Sequence, residues 1–329
     1  MNKPQRLISV VTPCFNEEDN VQQMYEAVRG VFQGLDRYRY EHVFIDNASR
    51  DATPRVLRAL ASADPRVKVI FNNRNFGPVR SPVHGLLQAR GDAVIGMAAD
   101  FQDPPDLIPE LLARWEGGAP VVQCVKSEAD EGRLMYAIRG AYYRLLARVA
   151  DIEIVQQATG FGLYDRSVVD AIRDLADPNP YFRGLVSEIG ATVERVSYRQ
   201  PKRTRGVSKN SLYILIDIAM LGLVTHTRVP LRLATLVGLA VAAVSLVIGL
   251  GYMVAKLVFW NQFSLGIAPI VVGFFLFSSV QLIFIGFVGE YVGAILTHVQ
   301  ARPLVFERER LNFDLPTAET AQGSETTPP

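Results

Sequence analysis

Three short polar clusters each follow an apolar run, and their acids and amides are groups that accept or exchange hydrogen bonds with a polar ligand. They are Pro13-Cys14-Phe15-Asn16-Glu17-Glu18, Asp46-Asn47-Ala48-Ser49-Arg50-Asp51 and Ala98-Ala99-Asp100-Phe101-Gln102-Asp103-Pro104-Pro105. Taken singly, each reads as a turn or helix cap, where Asp, Asn and Ser are favoured anyway. Placed together at one sheet edge, they make a polar binding site. A basic segment, Gln200–Lys209, adds cations that suit phosphate or anionic headgroups.

Each cluster needs a strand that ends where it begins. Leu7–Pro13, His42–Ile45, Val67–Phe71 and Ala93–Met97 read as strands. Helices are expected from Asp19 or Asn20 to about Gly34, over about Thr53–Ala63 and over about Val79–Ala89. This alternation argues for an α/β fold with a parallel sheet covered on both faces. Ligands of such sheets bind beyond the carboxyl ends of the strands, where the clusters fall. After Gly117 the pattern loosens: Gly132–Asp151 reads as a basic amphipathic helix and Val193–Tyr198 as a strand.

Two uncharged apolar runs, Leu233–Ala255 and Ile267–Gly289, hold 23 residues each. About 20 helical residues cross a bilayer core, and neither run has the polar stripe of a core helix. They are expected as a hairpin of two transmembrane helices within 231–298, at about 231–258 and 266–292. Arg228 and Arg232 precede the first apolar run, Arg302, Arg308 and Arg310 follow the second, and Trp260–Gly266 carries no basic residue. Both flanks and both termini are therefore expected in the cytoplasm. Residues 1–207 form the expected cytoplasmic domain, 208–230 a juxtamembrane amphipathic segment, and 299–329 a tail that is disordered from Asn312 on. Met1–Arg6 is polar and Leu7–Pro13 is too short for a signal sequence, so the large domain is expected to stay inside. A formal net charge of +1 gives no general pull on nucleic acid, and two cysteines make neither a disulfide framework nor a metal cluster.

A set of motifs runs in order along the chain: SVVTPCFNEEDNV from Ser9, FIDNASRDAT from Phe44, NRNFGPVRSPVHGLLQARGD from Asn73, AADFQDPPDLIPEL from Ala98, TGFGLYDR from Thr159, RTRGVSKNSLY from Arg203, PLRL from Pro230 and GFVGEYVGAI from Gly286. The set resembles the family 2 glycosyltransferases of the polyprenyl-phosphate type, which include dolichol-phosphate mannose synthases and bactoprenol glucosyltransferases. The resemblance runs from Leu7 to about Phe306. It implies a GT-A-type, Rossmann-like nucleotide-sugar-binding domain ahead of the hairpin, at the inner membrane, with self-association through the hairpin. The implied reaction is an inverting sugar transfer from a nucleotide diphosphate, with uridine favoured, to a polyprenyl phosphate such as undecaprenyl phosphate. Its product would serve surface glycan or lipid modification. The resemblance places Pro13, Phe15, Glu17, Asp46 and Asn73 at the nucleotide, and Asp100 and Gln102 at a Mg²⁺ or Mn²⁺ ion with Asp103 beside them. Arg203 and Lys209 fall near the pyrophosphate, which gives a catalytic set of Asp100, Asp103, Arg203 and Lys209. Lys126, Arg133 and Arg139 fall where the acceptor phosphate binds.

Three positions depart from the family pattern. Ala98, Asn47 and Gly160 stand where aspartates are common. Asp165 and Glu188 are the nearest acids that could replace a lost one. Two further readings follow: a non-catalytic, membrane-tethered nucleotide-sugar or partner-binding protein with a decayed site, and a transferase to a hydroxyl acceptor. Acceptor chemistry favours activity. A phosphate monoester has its second pKa near about 6 and is mostly dianionic at neutral pH, so it attacks without a general base.

Overall fold

The computed structural model describes residues 5–126, 158–201, 229–259, 267–300 and 302–313. Its centre is a parallel run of four strands in the order β4-β1-β2-β3: β1 (Arg6–Cys14), β2 (Tyr38–Asp46), β3 (Val67–Asn72) and β4 (Ala93–Gly96). Helices α1 (Val21–Gln33), α2 (Thr53–Ala63) and α3 (Gly77–Gln88) follow the first three strands, and α4 (Ile108–Glu116) follows the fourth. Alternate residues of the strands feed two apolar layers, as a sheet covered on both faces requires. On one face Ile8 and Val10 pack with Met24 and Val28 of α1 and Leu111 of α4, and Phe44 and Phe71 pack with Leu57 of α2. On the other, Val11, Ile45 and Ile70 meet Leu86 of α3 and Val169 and Ile172 of α5 (Arg166–Leu175).

The sheet is mixed, where the alternation of strand and helix had implied a parallel one. Beyond β4 lie β6 (Ala158–Asp165), β5 (Val121–Lys126) and β7 (Val193–Tyr198), in that order, and β6 is antiparallel to both its neighbours. Close packing marks the reversal: a Cβ at Gly162 would lie 2.5 Å from the carbonyl oxygen of Val122. A short helix, α6 (Phe182–Glu188), precedes β7.

Two long helices follow, α7 (Val229–Val258) and α8 (Ile267–Gln300). The two apolar runs fall on them. Among the described residues, one stretch, Val280–Gln300, is long and apolar enough to cross a membrane by length and composition. Helix α8 runs eight residues past the expected end at 292. Only Gly293, which a helix tolerates at modest cost, intervenes before Pro303, which disfavours helical backbone in the residue ahead of it.

The chain then returns to the sheet. β8 (Glu307–Leu311) pairs antiparallel with β3 and completes the order β7-β5-β6-β4-β1-β2-β3-β8. Its sequence, Glu-Arg-Glu-Arg-Leu, looks like a solvated tail, yet charged residues are what protects an edge strand from further pairing. Side chains fix it on both sides. Arg58 meets Glu309 at 2.6 Å, His84 meets Glu307 at 2.5 Å, and Arg310 donates to Gln88 at 2.8 Å. Asn312 donates to the carbonyls of Ala61 and Val67 at 2.7 and 2.8 Å, and Phe313 is buried. Asn312 and Phe313 are thus part of the fold, where the polar composition from Asn312 on had suggested disorder.

The clasp is expected to respond to acid. Burial raises the Glu307 carboxyl, but hydrogen bonds from Arg310 and His84 outweigh it and hold the group below its ordinary value. Burial lowers the His84 imidazole, more than Glu307 raises it. A depressed carboxylate stabilises the fold above its ordinary pKa and stops doing so as pH falls through its folded value. A depressed imidazole stabilises the fold above its ordinary value near 6.5 and loses this as pH falls below it. Both contributions weaken in acid. Between pH 7 and 5, β8 amides are expected to lose hydrogen-exchange protection relative to intrinsic rates, with His84→Gln removing most of the change. Constant protection of the wild-type strand across that range would refute the assignment.

Candidate active site

Cys14 and Asp46 are register partners, so β1 and β2 end level and their loops leave side by side. Polar side chains lace the two loops together. The Asn16 N–H donates to Ser49 Oγ at 2.8 Å, and the Arg50 N–H returns a bond to Asn16 Oδ1 at 2.7 Å. The Glu17 N–H donates to Thr53 Oγ1 at 2.8 Å, and the Ala52 N–H to Glu18 Oε2 at 2.7 Å. Much of the acidic and hydroxyl content of both clusters therefore makes one rigid double loop.

Each of the three strand-end loops also holds a non-glycine residue in the left-handed region: Asn16 (φ 55°), Ala48 (φ 62°) and Phe101 (φ 59°). Asparagine tolerates this conformation, whereas alanine and phenylalanine adopt it at a cost of about 1–2 kcal/mol. Such strain persists where surrounding bonds over-determine the backbone, and it gathers at functional sites.

Asp46 is fully buried, and its carboxylate accepts the Ser49 N–H at 3.2 and 3.3 Å. Burial raises its pKa, against the opposing effects of Ser49 and the Arg308 charge. A ligand reaches Asp46 only by displacing part of its cover. Burial likewise pushes the Cys14 thiol up, and Asp46 adds to this, which disfavours the thiolate that a nucleophile needs.

In the third cluster Asp100 is nearly buried and accepts the Gln102 N–H at 3.2 Å. Asp103 accepts the Ala98 N–H at 2.8 Å and the Tyr198 hydroxyl at 3.1 Å. It ties the loop after β4 to β7, which is a positioning task. Among the described residues no group of three or more His, Cys, Asp or Glu is placed to hold a metal. The oxygen donors Asp100 and Gln102 fit an ion with few protein ligands, such as Mg²⁺, which keeps waters and takes phosphate oxygens.

The remaining candidates share the same edge where they are described. Pro13 is paired with Ile45 near the end of β1, and Phe15 and Glu17 are half-buried in the double loop. Glu17 Oε2 accepts Asn20 Nδ2 at 2.6 Å. Asn73 is exposed just past β3, and its N–H donates to the Phe306 carbonyl at 2.9 Å. Lys126 ends β5 at the edge where β6 begins. Arg133, Arg139, Arg203 and Lys209 lie outside the described residues.

Comparison with known proteins gives the family. The profile of glycosyl transferase family 2 matches residues 9–173, which span all three strand-end loops. The chain belongs to that family. Relatives include the SfII prophage-derived bactoprenol glucosyl transferase of Shigella flexneri, 37% identical over 90% of this chain and 96% of the relative. The prophage bactoprenol glucosyl transferase homolog of Escherichia coli K12 is 33% identical over 90% and 96%. A solved structure, the mannosyltransferase PcManGT of Pyrobaculum calidifontis, is 16% identical with a TM-score of 0.45, covering 91% of this chain and 87% of that one.

For a family 2 chain, two of the three departures, Gly160 and Asn47, have distinct physical settings. Gly160 is exposed near the start of β6, and a Cβ there meets nothing within 4 Å, so packing does not demand the glycine. Asp165 does not replace the missing acid. It is paired with Ala93 at the opposite sheet edge, caps α5 through Ser167, accepts Trp115 Nε1 at 2.8 Å, and lines a depression of about 580 Å³ there. Glu188 is exposed at the end of α6.

Asn47 has a reason of its own. Its amide donates to Asn75 Oδ1 at 2.9 Å and to the Gly77 carbonyl at 3.1 Å, and its oxygen accepts the Phe76 N–H at 2.9 Å and Asn72 Nδ2 at 3.2 Å. All four bonding positions are used. An aspartate would set an anion against two oxygens. Asn47→Asp is expected to destabilise the fold by about 1–3 kcal/mol, the cost of buried acceptors left unpaired. Chemical denaturation measures this, and an unchanged midpoint would remove the role given to the amide.

Proposed function

We propose that this protein transfers a sugar, with inversion, from a nucleotide-diphosphate sugar of the uridine type to a polyprenyl phosphate of the undecaprenyl type, at the cytoplasmic face of the membrane. The observation that carries this is the place where the long helices rejoin the sheet. Six residues separate Gln300 at the end of α8 from Glu307, which pairs with Asn72 at the edge bearing the polar loops. Such a link reaches at most about 25 Å. Contacts hold the junction: His298 lies 3.5 Å from Asp177, and Arg80 donates to the Pro303 carbonyl at 2.8 Å. A site on that edge suits an acceptor whose phosphate sits at the interface and whose tail stays in lipid. The names of the two bactoprenol glucosyl transferase relatives agree with this acceptor.

In this reading α7 and α8 cross the membrane as a hairpin. A chain that leaves a domain and then adds a strand to the same sheet crosses an even number of times. The arginines at 228, 232 and 302 fit a cytoplasmic setting for both flanks.

The acceptor phosphate attacks the anomeric carbon as the bond to the donor diphosphate breaks, in one displacement. The dianionic acceptor needs no base, so an exposed, open Gly160 is compatible with turnover. What the protein supplies is placement. The double loop with Pro13, Phe15, Glu17 and Asp46, together with Asn73, holds the nucleoside. Asp103 sets the loop that presents Asp100 and Gln102. Arg203 and Lys209 bind the diphosphate, and Lys126, Arg133 and Arg139 the acceptor. Mg²⁺ or Mn²⁺ at Asp100 and Gln102 would neutralise charge on the leaving diphosphate. The second reading, a decayed site, draws on Ala98 and Gly160.

The test uses the full-length protein in detergent with undecaprenyl phosphate, Mg²⁺ or Mn²⁺ and a panel of nucleotide sugars, with mass spectrometry for a polyprenyl-phosphate sugar. One donor is expected to give product. Nucleotide binding without product from any donor would sink the proposal in favour of the decayed site. Asp100→Asn is expected to abolish turnover with an unchanged melting temperature, and near-normal turnover would remove Asp100 from the metal.

A further inference from the structure

β8 does not meet β3 residue for residue. Leu311, Arg310 and Glu309 pair with Val69, Ile70 and Phe71, but Asn72 pairs with Glu307. Arg308 is the extra residue of a β-bulge, a device that re-aims a side chain. The neighbours show how. Leu311 packs with the α2-side layer, Arg310 reaches Gln88 on α3, and Glu309 reaches Arg58 on α2. An unbroken strand would turn Arg308 toward α3. Instead its guanidinium lies over the Phe71 ring, 5.9 Å from the centroid, on the α2 side. Phe71 is the register partner of Asp46, and the two share that face. Arg308 is exposed, and among the described residues no hydrogen bond or ion pair holds its guanidinium. Its charge is near enough to Asp46 to oppose the effect of burial on that carboxyl.

We propose that Arg308 is a specificity residue for the donor and, with Asp46, reads the keto–imino edge of the nucleotide base. The proposal rests on the reading that Asp46 holds the base. A carboxylate accepts from a ring N–H, and a guanidinium donates to the carbonyl beside it. Uracil, thymine and guanine offer that N–H and carbonyl. Cytosine and adenine offer an amino donor beside an unprotonated ring nitrogen, which opposes both partners and is rejected. Because Arg308 lies beyond α8 in the chain, the donor site is complete only when the strand after the long helices is docked.

Calorimetry on the full-length protein in detergent, with Mg²⁺ and UDP, TDP, GDP, CDP and ADP, tests this. The wild type is expected to prefer a keto–imino nucleotide over CDP by at least about tenfold. Arg308→Ala is expected to weaken the preferred nucleotide by about ten- to a hundredfold, the range of a lost charge-assisted hydrogen bond. CDP affinity and the melting temperature should barely move, and Arg308→Lys should recover only part, since it lacks the planar fork. A retained wild-type preference in Arg308→Ala overturns the proposal. So does an equal loss for all five nucleotides, or a loss that tracks a fall in melting temperature. Asp46→Asn separates the two levels: if it leaves binding unchanged, or if the wild type binds none of the five, the reading of Asp46 fails and this proposal with it.

Discussion

The parallel register of β1 with β2 is the constraint on which the site depends. Because Cys14 stands opposite Asp46, both strands stop at one level, and the loops beyond them are close enough to exchange side-chain bonds. Ser49, Thr53, Asn16 and Glu18 then fasten the loops before any ligand arrives. A shift of one residue would send Asp46 to the opposite face and break every one of these bonds. The left-handed backbone at Asn16 and Ala48 is sustained by the same lacing. Rigidity at this edge is therefore a property of strand pairing first and of loop chemistry second.

A second network repeats the pattern one strand further out. Asn47, Asn72, Asn75 and Ser81 connect the end of β2 to the start of α3 through neutral amides and a hydroxyl. Neutral groups suit this place, because an unpaired charge buried beside Asp46 would be costly. On the other side of β1, Asp103 does similar work by joining the Ala98 backbone to Tyr198 of β7. The edge is thus built from three local clamps on one continuous sheet.

The central strands and their helices were legible in the sequence because burial on both faces leaves apolar runs such as Val43-Phe44-Ile45 and Val69-Ile70-Phe71, and because helical spacing marks Val21, Met24 and Val28. The candidate edge was legible for the same reason: each cluster begins where such a run stops. β6 was hidden because Thr159-Gly160-Phe161-Gly162 is rich in glycine, and the need for Gly162 is visible only in its distance to Val122. β8 was hidden because an edge strand with charge on every residue but the last has no apolar signal; its partners His84, Arg58 and Gln88 are more than 200 residues away. The roles of Asp103 and Asp165 could not be separated by spacing alone. Each is an aspartate at a strand end, and only the direction of β6 places Asp165 at the far edge. Arg308 gave no signal of its own, since a bulge is a property of the pairing and not of the residue.

The position of β8 in the chain has a consequence for how the protein is made. The ribosome finishes β1 to β7 before either long helix exists, and the strand that closes the sheet emerges only after both. Until then β3 presents an open edge, the kind of surface that recruits unwanted partners. The long helices must find their environment while the domain behind them is still incomplete. Closure of the sheet is therefore a late event in biogenesis, and it couples the finishing of the globular half to the settling of the helical half.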